Sequence, residues 1–179
     1  KATPSMRRIE FPLRDRLAVV PVEIVLSARW GFLVAAILFL LSGVSHRGFS
    51  LTTMRAEGIP HALLILGALF GGTVLTPALL PWLPGRSLAV KGFWMGLAVL
   101  LGFAAWPAGR DACFHPAASL LGWVCSVSAM SSFLAMNFTG ATTYTSLSGV
   151  RREMRFAVPL QLGAGLAGLV LLVVGRFFH

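Results

Sequence analysis

Residues 117–138 read AASLLGWVCSVSAMSSFLAMNF, 22 positions without a charged side chain, and their last two open the segment Asn137-Phe138-Thr139-Gly140-Ala141-Thr142-Thr143-Tyr144-Thr145-Ser146-Leu147-Ser148-Gly149. Wound as an α-helix, the apolar run rises about 33 Å, enough to cross the roughly 30 Å hydrocarbon core of a bilayer. Such a run says only that the solvent is lipid. The hydroxyl and amide groups crowded at its mouth, followed by Arg151, Arg152, Glu153 and Arg155, give that end a chemistry of its own.

Four further stretches on either side have the same character: Val22–Ser45, Ile59–Leu80, Leu88–Trp106 and Phe156–Phe178. The chain is 56% hydrophobic and 12% charged, with a mean hydropathy of +0.81, against about 25% charged residues in a soluble domain. The expected fold is therefore all-α, a polytopic membrane bundle of five transmembrane helices over residues 21–179. Residues 1–20 form a basic and apolar leader expected to lie at the interface and to connect to an upstream soluble domain. Pro21 is expected at the first helical position of span one, with Glu23 in its first turn and Arg29 close enough to that end to snorkel.

A net charge of +9 in a soluble chain would point to nucleic acid. Here the bases lie between apolar runs, where they set topology and meet anionic headgroups, so nucleic acid is excluded as a partner. Of the 15 Lys and Arg, 11 fall on the side of the N-terminus and four on the other. The positive-inside rule then places the N-terminus and the 139–155 loop in the cytoplasm and the C-terminus outside, in a bacterial or archaeal cytoplasmic membrane.

Ionisable groups deep in a span mark function, because burying them is costly. Glu23, Arg29, His61 and Lys91 all fall near the expected span ends. Mid-span polarity is confined to Thr73, Thr76, Ser126, Ser128, Ser131 and Ser132, which suit helix-to-helix hydrogen bonds or, alternatively, a polar cavity. Small residues four apart, Gly67/Gly71, Gly92/Gly96, Ser128/Ser132 and Ala164/Gly168, predict close helix packing. Pro159 should kink span five and free a carbonyl for a hydroxyl or Gln161. Asp111 and His115 have helical spacing, but Pro116 argues for a polar turn there. Cys113 and Cys125 lack metal-ligand spacing and no histidine pair supplies one, so no metal site and no catalytic residue is assigned.

The candidate docking surface is Asn137, Thr139, Thr142, Thr143, Tyr144, Thr145, Ser146, Arg151, Arg152 and Arg155, with Ser148 as the expected N-cap of the following helix. Topology alone could account for the arginines. The alternatives are a partner domain, the polar edge of a cofactor or a lipid headgroup.

Several motifs carry a family resemblance: Phe11-Pro12-Leu13-Arg14-Asp15-Arg16-Leu17 before Pro21-Val22-Glu23, Thr76-Pro77-Ala78-Leu79-Leu80-Pro81 with Pro84-Gly85-Arg86, and above all Asn137-Phe138-Thr139-Gly140 through Tyr144-Thr145-Ser146-Leu147-Ser148-Gly149-Val150 with Glu153-Met154. Together they resemble the C-terminal membrane domain of the mercury-methylating corrinoid family, HgcA, over nearly the whole chain. The resemblance implies an upstream soluble domain that binds cobalamin. It also implies a ferredoxin-like partner, HgcB, with 4Fe-4S clusters, and methyl transfer from the corrinoid to inorganic mercury. It further implies that the docking surface receives the corrinoid domain or its ferredoxin. The chain lacks the family's cap-helix motif, and neither Cys113 nor Cys125 sits in one, so no cobalt ligand is assigned to it. The competing readings are a small ion or metal transporter or channel subunit, and a simple membrane anchor.

Overall fold

A computed structural model describes residues 12–45, 48–138 and 147–177. Seven helices and one small hairpin follow in chain order. They are α1 (Leu13–Leu41), β1 (Val44–Ser45), β2 (Gly48–Phe49), α2 (Leu51–Phe70), α3 (Thr76–Ala78), α4 (Leu88–Ala105), α5 (Pro107–Cys113), α6 (Ala117–Asn137) and α7 (Leu147–Phe177). A π-helical turn, Gly71–Leu75, joins α2 to α3 as one rod. Counting that rod once, five helices among the described residues are long and apolar enough to cross a membrane. The chain is an all-α membrane bundle.

Its first helix begins nine residues before the expected Val22. Pro12, extended at the N-cap, sets the start, and Asp15 in the first turn favours the positive end of the helix dipole. Pro21 therefore sits inside the helix rather than opening it. Glu23 lies ten residues in, about 15 Å along the axis, and Arg29 lies sixteen residues in, exposed, with its guanidinium 5.6 Å from the Trp30 ring. The inner stripe of α1 is Arg16, Val20, Glu23, Ser27, Gly31 and Ala35, spaced three or four apart as one helix face requires.

The hairpin pairs Val44 with Phe49 and Ser45 with Gly48. Gly48 has φ 104°, a left-handed value that a side chain would resist. Ser50 then caps α2 by accepting from Thr53 N, and Ser87 caps α4 by accepting from Val90 N at 3.2 Å. Pro77, which lacks an N–H, interrupts the second rod's regular ladder, and Leu79 N resumes it by donating to Leu75 O at 2.8 Å. The π-helical turn ahead of it is stitched by Thr73 Oγ1 donating to Leu69 O and Thr76 Oγ1 to Gly71 O, at 2.7 and 2.9 Å. The short connection after α4 is a helix, not the polar turn expected from Pro116. Pro107 starts α5, which ends at Cys113 before that proline can interfere.

Burial is greatest at the centre of the bundle. In α6, 56% of the apolar window is enclosed, against 11% in α7, so α6 is the hub and α7 a peripheral helix turned toward lipid. Leu64, Ile65, Ala68, Leu100, Trp123 and Val127 form the core between α2, α4 and α6. Small residues set the closest approach. A methyl added at Gly96 would stand 2.7 Å from Ser128 Cα, and one at Gly168 would stand 2.7 Å from Gly122 O. Both are backbone contacts, as the four-residue spacing predicts. Large exposed side chains such as Val25, Phe156 and Leu160 need no further burial when the solvent is hydrocarbon.

Candidate functional site

At the end of the bundle where α1 begins, two helix termini are closed by three charged side chains. Arg16 Nη1 donates to Ala78 O at 3.1 Å and to Pro77 O at 3.4 Å, and Lys91 Nζ donates to Leu80 O at 2.6 Å. These carbonyls end the α2–α3 rod, where cations satisfy both the orphan acceptors and the negative end of the dipole. Glu153 does the converse job by accepting from Ala89 N at 2.9 Å, in the first turn of α4. The one acidic residue of the arginine-rich segment thus ties α7 to α4.

Around this frame lie those members of the expected docking surface that fall among the described residues. Asn137 is the exposed last residue of α6, and Arg151, Arg152 and Arg155 are exposed in the early turns of α7. Arg151 and Arg155 share a face by their spacing of four, with Arg152 beside them. Thr139, Thr142, Thr143, Tyr144, Thr145 and Ser146 lie outside the described residues. Helix α7 starts at Leu147, so Ser148 falls within its first turn rather than at the cap expected for it.

Arg152 and Glu153 also stand at the mouth of a crevice of about 680 Å³ between α4, α6 and α7. Its walls are Phe93, Val124, Phe156 and Leu160, with Cys125, Ser128, Ser132 and Gln161 among the residues lining it. A relay crosses here: Gln161 Nε2 donates to Ser132 Oγ at 2.7 Å and to Met136 Sδ at 3.2 Å, and Ser132 Oγ donates to Ala89 O at 2.8 Å. Gln161 therefore reaches across to α6 rather than serving the carbonyl freed by Pro159. Ser128 Oγ and Gln161 Oε1 are buried and find no partner among the described residues. Thr73 and Thr76, which a conduction path through the second span would use, are turned back onto their own rod.

The opposite end holds a polar cluster that the sequence reading missed. Arg176, in the last turn of α7, pairs with Glu57 of α2, donates to Ser42 O, and donates to Val44 O at 2.9 Å. His61 lies ten residues inside α2 rather than near a span end, since that helix begins at Leu51 and not near Ile59. Its Nδ1 is 2.7 Å from Ser42 Oγ, its Nε2 is 3.2 Å from Ala112 O, and its ring lies 5.0 Å from that of Trp123. Together with Asp111 and His115 these groups line a cavity of about 760 Å³. The pairings span up to 134 positions of sequence, so no local spacing announces them. Beside them, in the α4–α6 connection, burial and then the Glu57 carboxylate push the Cys113 thiol up to about 12.

No three His, Cys, Asp or Glu side chains among the described residues come together as a metal would require. Cys113 is fully enclosed, and Cys125 is partly exposed on the crevice wall. Compared with protein-family models, with curated proteins and with solved structures, the chain matches none.

Proposed function

We propose that this chain is the membrane domain of a corrinoid-dependent methyltransferase resembling the mercury-methylating family HgcA. On this reading it anchors a cytoplasmic corrinoid domain and docks that domain, or its ferredoxin-like partner HgcB, at the arginine-bearing end. The observation that carries the proposal is the exposure of Asn137, Arg151, Arg152 and Arg155 at the end of the bundle where α1 begins. Arginines that served only to pin a helix end would be tied to nearby carbonyls, as Arg16 is. These three point outward while Glu153 alone makes the structural tie to α4. Guanidinium groups so placed offer bidentate hydrogen bonds to carboxylates or phosphates of an incoming surface.

The charge distribution supports a cytoplasmic setting for that end. The cofactor chemistry belongs to the upstream domain in this proposal. The residues of this chain contribute position: they fix the height and orientation of the methyl carrier at the membrane and give its electron donor a landing surface. The test replaces Arg151, Arg152 and Arg155 with glutamate in the full native protein, and in a second variant Thr142, Thr143, Tyr144 and Thr145 with alanine. Methylmercury formation should fall at least about tenfold, as loss of several charge-assisted contacts implies, at unchanged protein level in the membrane. Unchanged methylation in both variants would refute the docking role.

A further inference from the structure

We propose that the crevice between α4, α6 and α7 is a binding site for a neutral lipid bearing a hydroxyl group, which enters sideways from the bilayer. The inference does not depend on the docking proposal. It rests on two orphaned polar atoms carried by residues that line one apolar crevice. Ser128 is 3% exposed and Gln161 8%, both line the crevice, and neither Ser128 Oγ nor Gln161 Oε1 has a partner among the described residues.

The neighbouring groups cannot repair this. Both amide hydrogens of Gln161 are committed, to Ser132 Oγ and Met136 Sδ, and the Ser132 hydroxyl is spent on Ala89 O. In water such atoms would be solvated, but within a bilayer an unmet acceptor is costly. Ser131 Oγ is also unpartnered, yet it sits in the packed seam between the π-helical turn and α6 and lines neither cavity described above. The argument therefore needs both features, the orphaned atoms and the space beside them.

The chemistry of the two atoms selects the ligand. Gln161 Oε1 only accepts, so the ligand must donate. Ser128 can donate, so the ligand should also accept. Ser128 and Ser132 are one helical turn apart, about 6 Å, and Gln161 is bonded to Ser132, so both atoms belong to one stretch of the crevice. A carboxylate or phosphate offers acceptors alone and leaves Gln161 unmet. An acyl chain offers nothing. The walls formed by Phe93, Val124, Phe156 and Leu160 suit the apolar body of a long-chain alcohol.

The experiment photolabels the full chain in lipid nanodiscs with a diazirine-bearing hexadecanol and maps the modified peptides. Hexadecanol and hexadecane serve as competitors. Label should appear on the α6 and α7 segments containing Ser128 and Gln161, and hexadecanol but not hexadecane should displace it. Ser128→Ala and Gln161→Leu should each weaken labelling about fivefold, the size of one lost hydrogen bond. Ser128→Ala removes an unpaired group, so its thermal midpoint without ligand should stay or rise, which separates lost binding from lost folding. Equal displacement by hexadecane, or undiminished labelling in both variants, would overturn the proposal in favour of a generic acyl-chain contact. Absence of label from the crevice would overturn it in favour of bound water.

Discussion

The seam between α4 and α6 yields a prediction whose sign changes along a single helix. A Cβ at Gly96 would lie 2.7 Å from Ser128 Cα and 3.1 Å from Val127 O. Ordinary van der Waals contact begins near 3.4 Å, so the added methyl sits about 0.7 Å too close to atoms that no rotamer change can move. The two helices must separate, and overpacking of this kind costs about 1–3 kcal/mol. Alanine also recovers up to about 1 kcal/mol of helix propensity over glycine. Gly96→Ala should therefore destabilise by about 1–2 kcal/mol. Gly102 lies on the same helix with nothing within 4 Å of its would-be Cβ. Gly102→Ala should gain the propensity without the clash and stabilise by about 0.5–1 kcal/mol. Reversible unfolding of the purified protein in mixed micelles, followed by circular dichroism against denaturing detergent fraction, reads both. If Gly96→Ala were as stable as the parent, or if both variants moved in the same direction, the close α4–α6 seam would be wrong.

Other perturbations probe the polar ties. Arg176→Ala should cost about 2 kcal/mol, because it leaves Glu57 unpaired and frees the Ser42 and Val44 carbonyls, though partial exposure of the pair keeps the loss below that of a fully buried one; the same unfolding assay measures it. Ser132→Ala should cost about 1–2 kcal/mol by leaving one amide hydrogen of Gln161 unmet and removing the hydroxyl's added bond to Ala89 O, a carbonyl that keeps its place in the α4 ladder, and Gln161→Leu on that background should recover part of the loss. Cys113, with its thiol pushed up to about 12 by burial and then Glu57, should resist maleimide at pH 7 to 9 until the bundle is unfolded. The unfolded thiol ionises near 8.5, so the folded form holds the extra proton above that pH. Its contribution to stability is whole below about 8.5 and should be lost as pH rises toward about 12, a loss that Cys113→Ala removes.

Much of the architecture could be read from hydropathy alone, because lipid demands unbroken helices of a set length. The four-residue pairing of small side chains likewise announced close helix packing, though not which helices meet. What failed was depth. Pro21 was read as a helix start, yet Pro12 holds that place, and the shift carries Glu23 and Arg29 well inside α1. His61 moved inward for the same reason, since Ser50 supplies an N-cap nine residues before Ile59. The polar relay through Gln161 and the Glu57–Arg176 tie join residues 29 and 119 positions apart, and only the folded packing of α7 brings them together. Arg151, Arg152 and Arg155 were legible as a group. That Glu153 among them is a structural tie to α4 was not, because the orphan N–H groups of a distant helix leave no trace in local sequence.

The central claim is that this chain is the membrane portion of a corrinoid protein. It is tested most directly by the ultraviolet-visible spectrum and cobalt content of the native gene product purified from membranes with any sequence that precedes Lys1. The account predicts one cobalt per chain and the absorption bands of a bound corrinoid. A folded preparation with neither cobalt nor corrinoid absorption would contradict it.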